Sequence, residues 1–336
     1  MPPDSKGRTT VSLEEPAFVV SQVDTKSGLG GITDGGLNTS ISCDFISTWD
    51  TAQAGSASDT VVLPLLSGGV YSGTIDWGDG NSDALSYANR THVYASSGTY
   101  TITISGSDIQ GFQFANAGDK AKITDISNWG NLTLTTDRCF FGCSNLQVSA
   151  TDAPNITTTS FFRMFANCTS IGAADFTKFD VGGVQSFSAC FESSNFNGDL
   201  NTWDMSSATT IYRMFRTNAA FNKPLNLWQL SSCTAANETF QGASSFDQDI
   251  SNWDIDQINN FTNFMSGVTL STTNYDALLV GWEATLQATW AGGTGYPYTI
   301  NINFGGSKYT GGGAADAARA SLISNFGWTI TDGGAV

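Results

Sequence analysis

Large aromatic residues recur every 25 residues through the middle of this chain, and this spacing constrains its fold more than any other feature. One register opens each copy and another closes it, in the segments FNGDLNTW, FNKPLNLW and FDQDISNW. The opening register is Phe196, Phe221 and Phe246, and the closing register is Trp203, Trp228 and Trp253. A 25-residue unit cannot bury its own aromatic side chains, whereas stacked units bury them against their neighbours. The spacing therefore predicts a solenoid.

A third register of large apolar residues runs in phase with the first two. Its members are Phe140, Phe165, Phe191, Phe215, Phe240 and Met265. Weaker copies extend the opening register back to Leu146 and Ile171, and the closing register back to Trp129, Pro154 and Phe179. Each buried aromatic side chain contributes roughly 1.5–3 kcal/mol. We therefore expect the registers to be core, and sugar-stacking platforms are the alternative.

Cysteine use points to packing. The chain has six cysteines, too few and too scattered for a disulfide scaffold of this size. Cys143 and Cys168 share a register, so neighbouring coils would bring their thiols together. We expect small buried side chains there, with a disulfide between them as the alternative.

The pattern Phe-Asn-x-(Asp/Pro)-(Ile/Leu)-x-x-Trp, followed by Met-Phe-x-x-(Cys/Ala), resembles the BspA-like surface-protein repeat. That repeat is a solenoid related to leucine-rich repeats, and it occurs in bacterial surface proteins and some phage proteins. The resemblance covers about residues 129–270. It implies adhesion or surface display and no general catalytic activity.

Upstream of the repeats, residues 44–110 alternate apolar and polar residues in short runs bounded by turn signals, which predicts a β-sandwich. The segments WGDG, HVY and GTYTI resemble the motif of the PKD domain, an immunoglobulin-like module. The matching residues are Trp77, Gly78, Asp79, Gly80, His92, Tyr94 and Tyr100. The resemblance implies a spacer or an element that contacts protein or glycan.

The two ends differ from the repeats. Residues 271–336 predict an α/β C-terminal cap, with one helix starting near Thr273, a strand through Tyr298–Phe304, a second helix over 314–326 and a last strand at 328–330. A solenoid needs such an end because an open one exposes apolar surface. Residues 1–43 match neither module, and we expect them to be an attachment arm that adds a strand to a partner, with simple disorder as the alternative. The predicted domains are thus 1–43, 44–110, a solenoid over 111–270, and 271–336, in a mainly β chain.

The charge balance limits the partners. The chain carries 14 basic and 30 acidic residues, a net charge of −16. Such a surface disfavours nucleic acid and anionic membranes, which bind proteins through cationic contacts. We also expect no membrane insertion, because no run approaches 18 apolar residues.

Catalytic motifs are not evident. His92 is the only histidine, and within the PKD-like motif we expect it to be structural. This excludes nucleophile–histidine pairs, and we expect no enzyme activity and no cofactor. The acids Asp180, Asp199, Asp204, Asp249 and Asp254 recur in phase with the repeats. They therefore favour turns over a glycosidase pair, and Ca²⁺ binding through their oxygens is the alternative.

Two functions fit these expectations. The first is a virion surface protein, present in many copies or as a homo-oligomer, such as a capsid decoration, fibre or tail appendage. It would bind other virion proteins through residues 1–43 and contact host glycan or protein with the rest. The second is a cell-surface or secreted bacterial adhesin. The N-terminus lacks the features of a secretion signal, and this favours the virion function.

Overall fold

The computed structural model describes residues 43–336, so the predicted attachment arm lies outside the described residues except for its last position. The described part is mainly β, which confirms the predicted class. Its strands are β1 (Phe45–Asp50), β2 (Thr60–Val62), β3 (Tyr71–Asp76), β4 (Ser82–Ala84), β5 (Thr91–Val93), β6 (Thr99–Gln110), β7 (Ile123–Asn128), β8 (Leu132–Leu134), β9 (Gln147–Val148), β10 (Asn155–Ile156), β11 (Asn301–Asn303) and β12 (Thr329–Thr331). Its α-helices are α1 (Thr272–Thr289) and α2 (Ala314–Ser324).

Strand β6 organises the N-terminal sheet. It pairs antiparallel with β1 on one side and with β3 on the other, so that Ile104 lies opposite both Phe45 and Ile75. Ile102 and Ile104 are fully buried, and β2 pairs with β5 in a small second sheet. The β2 strand ends at Val62, shortly before Pro64, because proline has no amide hydrogen to donate to a sheet.

The main sheet continues from this antiparallel part into the repeats. Strand β1 also pairs with β7, while the end of β6 pairs in parallel with β8. Parallel pairing then adds β9 beside β7 and β10 beside β8. Residues 43–336 form one compact unit, and the sheet runs without a break through the predicted boundary at 110/111.

Beyond β10, each copy of the repeat contributes one parallel bridge to a continuous ladder. The bridged residues are Ser160, Ser186, Thr210, Ala235 and Asn260. Backbone amides also donate to the equivalent region of the next copy, as from Phe215 to Thr239 and from Phe240 to Phe264, both at 2.9 Å. The first such rung joins Phe114 to Cys139, so the ladder begins before the first copy that the sequence shows.

The aromatic registers form columns inside the stack. From Phe140 through Phe165, Phe191 and Phe215 to Phe240, successive ring centroids are 5.5–5.8 Å apart and interplanar angles are at most 9°. The opening rings stack at 6.1–6.2 Å and Trp228 stacks on Trp253 at 5.8 Å. All the predicted ladder aromatics are buried, and among them only Trp203 and Phe179 retain any exposed area, 3 % and 4 %. Stacked at this spacing, they form one hydrophobic core along the ladder.

The copy that contains Ile171 keeps its core filled, although its large and small residues occupy different positions from those of the later copies. Ile171 occupies the opening register there, where later copies have phenylalanine. Phe176 fills the space and stacks on Phe196 at 5.4 Å. Its backbone carbonyl accepts a hydrogen bond from Trp203, as the Leu200 carbonyl does from Trp228. Phe176 is therefore the counterpart of Leu200, and the large and small residues have changed places.

The C-terminal region closes the ladder. Helix α1 begins after Ser271, whose hydroxyl accepts from the Asn274 amide, so the predicted start near Thr273 is one residue late. The next elements, β11, α2 and β12, form a unit in which the two strands are parallel. The Met265 amide donates to Asn303 of this unit at 2.8 Å, which extends the hydrogen bonding of the repeats into the C-terminal unit.

Helix α1 also extends the closing register. Its Trp282 donates from Nε1 to the Ile250 carbonyl at 3.0 Å, the bond that Trp253 makes with Leu225 at 2.9 Å. Trp282 is 29 residues after Trp253 rather than 25 because it lies on a helix. The sequence spacing therefore conceals the last member of the column.

Candidate ligand-binding face

The recurring aspartates lie in turns. Asp199, Asp204 and Asp249 each accept a hydrogen bond from the amide two residues further on, at 2.8–3.0 Å. Asp180 and Asp254 make the same contact at 3.4 Å. Each carboxylate thus stabilises the turn of its own copy. Within residues 43–336, no group of three or more His, Cys, Asp or Glu side chains could hold a metal ion.

The PKD-like residues form one packed cluster. The His92 ring stacks on Trp77 at 4.8 Å and meets Tyr94 edge to face at 4.6 Å. Tyr94 stacks on Tyr100 at 3.7 Å and donates its hydroxyl to the Trp77 carbonyl at 3.0 Å. The single histidine is therefore enclosed by aromatic rings.

The WGDG turn fixes the polar side of this cluster. Gly78 has a φ of 78°, and a Cβ there would lie 2.3 Å from the Thr101 carbonyl oxygen. Asp79 lies 2.9 Å from His92 Nε2 and accepts from both the amide and the side chain of Asn81 at 3.0 Å. Burial opposes ionisation of Asp79, but these hydrogen bonds outweigh it and lower its pKa to about 2.

The cysteines of the repeats are buried thiols. Cys143 and Cys168 are both unbridged, and Cys168 donates from Sγ to the Phe140 carbonyl at 3.1 Å. Burial raises the pKa of both thiols well above the ordinary value. They pack as small apolar groups beside the ring column.

Two clefts lie around the segment 62–70. One has a volume of about 310 Å³ and the other about 540 Å³, and both are lined by Leu66 and Ser67. The first also contains Asp119, but that carboxylate accepts from the Val62 amide and from the amide and hydroxyl of Ser56 at 2.6–2.8 Å. Both oxygens of the Asp119 carboxylate are therefore already engaged in hydrogen bonds within the protein.

A strip of arginine, glutamate and aromatic side chains follows one set of turns along the repeats, and the sequence reasoning missed it. This arginine strip consists of Arg138, Phe141, Phe162, Arg163, Glu192, Tyr212, Arg213, Arg216 and Glu238. It holds four of the seven arginines in a chain with a net charge of −16. The available signal was an arginine two residues before the ring column at Phe140, Phe165 and Phe215.

The C-terminal half of the arginine strip is a saturated ion-pair network. Glu238 accepts from Arg213 Nε at 2.8 Å and lies 3.3 Å from Arg216 Nε. Arg216 also contacts Glu192 at 2.9 Å, and Arg213 lies over the Tyr212 ring at 4.6 Å. Each of the three ion pairs joins neighbouring copies, so this half holds the repeats in register.

The N-terminal half carries uncompensated positive charge. Glu192 is shared with Arg216, and its contact with Arg163 Nη2 is long, at 3.6 Å. Arg163 Nε is buried without a hydrogen-bond acceptor in the described part of the chain. Arg138 lies on the adjacent rung and pairs only with its neighbour Asp137, leaving 43 % of the arginine side chain exposed. The positive charges of Arg138 and Arg163 are therefore balanced by the Asp137 carboxylate and by only part of the Glu192 carboxylate.

The backbone of the strip is strained. Its turns repeat a left-handed residue at Arg138, Arg163, Ala189, Arg213, Glu238 and Asn263, with φ between 53° and 57°. This conformation costs a non-glycine residue about 1–2 kcal/mol. A second series of left-handed residues also recurs through the copies. Glycine occupies three of its positions, Gly142, Gly242 and Gly267. The left-handed turn therefore recurs in every copy, and long charged side chains occupy four of its six positions.

No helix among residues 43–336 is long and apolar enough to cross a membrane. Residues 159–278 match the model of a family described as "Mycoplasma protein of unknown function, DUF285". No curated protein and no solved structure matches the chain. This chain is therefore similar, over its later repeats and the start of α1, to a family whose function is not known.

Proposed function

We propose that this chain is a non-enzymatic display protein of a virion surface, such as a capsid decoration, fibre or tail appendage. In this proposal residues 1–43 attach it to other virion proteins, and it is present in many copies or as a homo-oligomer. The repeats carry the arginine strip outward, towards a glycan or protein of the host surface.

The finer fold that we propose is a PKD-like, immunoglobulin-like sandwich followed by a leucine-rich-repeat-like solenoid and an α/β cap. The parallel rungs at intervals of 24–26 residues and the stacked ring columns support the solenoid. The rings of Trp77, His92 and Tyr94, packed together beside the WGDG turn, support the PKD-like module.

One observation carries the display function: residue identity is constant inside the repeats and varied along the strip. The ring column holds phenylalanine in five successive copies. The left-handed position beside it changes from arginine to alanine, arginine, glutamate and asparagine across the last five copies. A constant core under a variable surface is how repeat proteins build binding faces.

A bacterial adhesin is the second candidate. Both modules that the sequence resembles are familiar from bacterial surface proteins, and the family matching residues 159–278 carries the name of a bacterium. The same arginine strip would then serve attachment to a host cell.

Immunogold electron microscopy with antibodies against residues 129–270 separates these candidates. Label on intact virions, lost when residues 1–42 are deleted, supports the virion function and the attachment role. Label on the bacterial envelope supports the adhesin. Label on neither, with the protein confined to the cell interior, contradicts both.

A further inference from the structure

We infer that the N-terminal half of the arginine strip is a binding site for a single sugar carboxylate, at the pair Arg138 and Arg163. This inference rests on the proposed display function and names the ligand class of the displayed face. The ligand is a saccharide that carries one carboxylate per terminal residue, such as a sialic or uronic acid.

The ladder holds the backbones of Arg138 and Arg163 on neighbouring rungs. The Arg138 amide donates to the carbonyl of Phe162, the residue before Arg163, at 3.0 Å. The arginines therefore lie on neighbouring rungs, whose spacing in parallel β-structure is about 4.8 Å. A carboxylate has two oxygens and can accept from both guanidinium groups at once.

Aromatic rings hold one of these guanidinium groups. Arg163 Cζ lies 5.2 Å from the Phe141 centroid and 5.3 Å from the Phe162 centroid. Both rings are partly exposed at the surface. Planar arginine between two rings has fewer conformations to lose when a ligand binds.

The charge balance limits the ligand to few negative charges. Arg138 and Arg163 are opposed by Asp137 and by a share of Glu192, which leaves an excess of less than one positive charge. A polyanion would meet this small excess inside a molecule with a net charge of −16, which repels it. A sugar with one carboxylate meets no such barrier.

The surface beside the pair suits hydroxyl groups. Ser160, Ser186 and Ser188 follow the bridge ladder past Arg163, and all three are partly exposed. The Ser186 hydroxyl donates only to the neighbouring Ser188 hydroxyl, at 3.2 Å. Such hydroxyls can donate to and accept from sugar hydroxyls next to an anchored carboxylate.

Isothermal titration at low salt tests the site with the full chain. The probes are sialyllactose, a glucuronic-acid-terminated disaccharide, neutral lactose and sulfated lactose. We expect both carboxylated sugars to bind at least tenfold more tightly than lactose or its sulfate. Arg163→Gln and Arg138→Gln should each weaken this binding about tenfold or more, because a charge-assisted hydrogen bond is lost.

Two variants keep the result interpretable. Arg90→Gln removes an arginine that lies over Tyr87, outside the strip, and should leave sugar binding unchanged. Arg163→Gly removes the same guanidinium at a backbone conformation that glycine tolerates, so it should stay folded while losing binding.

Several outcomes overturn the inference. They are equal binding of lactose, tighter binding of the sulfate, no binding of the carboxylated sugars, or equal loss in the Arg90 control. Immunogold labelling of particles does not depend on sugar binding. Labelled virions with no sugar affinity would thus reject this site and leave the display function standing.

Discussion

A buried lysine provides the sharpest test of how the N-terminal module is fastened to the repeats. Lys122 is fully buried, and its ammonium group donates to the carbonyls of Ser56, Ala57 and Thr60 and to the Ser56 hydroxyl, at 2.7–3.1 Å. The loop containing the acceptors belongs to the PKD-like region, whereas Lys122 directly precedes β7. One side chain therefore ties the two regions together.

The cost of Lys122→Met follows from the acceptors it leaves. Methionine has similar length and flexibility, so the change removes mainly the charge and its hydrogen bonds. The Ala57 carbonyl keeps the Thr60 amide as a donor, whereas the single hydrogen of the Ser56 hydroxyl is shared between the Thr60 carbonyl and Asp119. The Ser56 carbonyl loses its donor. A hydrogen bond to a charged group contributes about 1.5–3 kcal/mol, and a buried acceptor left without a donor costs about 1–3 kcal/mol, so we expect Lys122→Met to lower the free energy of unfolding by about 3 kcal/mol.

Thermal and urea unfolding measure this cost. An unfolding entropy of about 2.1 cal/mol/K per residue converts about 3 kcal/mol into a fall in Tm of about 5 °C for residues 43–336. Lys120→Met is the matched control, because Lys120 is partly exposed and hydrogen-bonds to the Asn116 side chain. A loss below about 1 kcal/mol for Lys122→Met, or an equal loss in the control, would refute the reasoning.

Three further predictions concern the site and the core. Since the folded-state pKa of Asp79 is about 2, its ionised form stabilises the protein above the unfolded value, 3.8, and this contribution is lost as the pH falls through 2. The stability gap between wild type and Asp79→Asn in urea melts should therefore close between pH 6 and pH 2, and a gap independent of pH would contradict this. Arg163→Gly should be more stable than Arg163→Ala by about 1 kcal/mol, because φ is 53° there and both changes remove the same contacts. Equal free energies of unfolding for the two variants would show that the backbone is unstrained. Burial raises the pKa of Cys139 to about 12 and of Cys233 to about 11, so both should resist alkylation at pH 8 until the protein is unfolded, as mass spectrometry of the labelled peptides can check.

The core was predictable because its residues repeat in identity. Phe215 and Trp228 recur at fixed spacing, since each copy must fill the same space with the same shape. The 25-residue spacing does not predict Trp282, because this residue joins the closing column from a helix. It also failed at Phe176, where one copy exchanged its large and small residues.

The arginine strip could not be found by the same reasoning, because its positions do not repeat in identity. Arg163 and Arg213 share a register with Ala189 and Glu238, so a search for constant residues passes over them. Their left-handed backbone leaves no hydrophobic pattern in the sequence. The pairing of Arg213 with Glu238, 25 residues apart, is visible only once copies are known to stack in register.

If one 25-residue unit is interchangeable with the next, the chain should tolerate the deletion of one complete unit. The Asn222 amide donates to Asn197 Oδ1 and the Asp247 amide to Asn222 Oδ1, both at 3.0 Å, so equivalent residues make the same contact one copy apart. Deleting residues 222–246 joins Phe221 to Asp247 and should re-form every column with one ring fewer. Circular dichroism should then show a cooperative melt with a Tm lowered by a few degrees, whereas deleting residues 222–233 shifts the columns out of register and should abolish the transition. Loss of the cooperative melt in both deletions would contradict the stacked-repeat account.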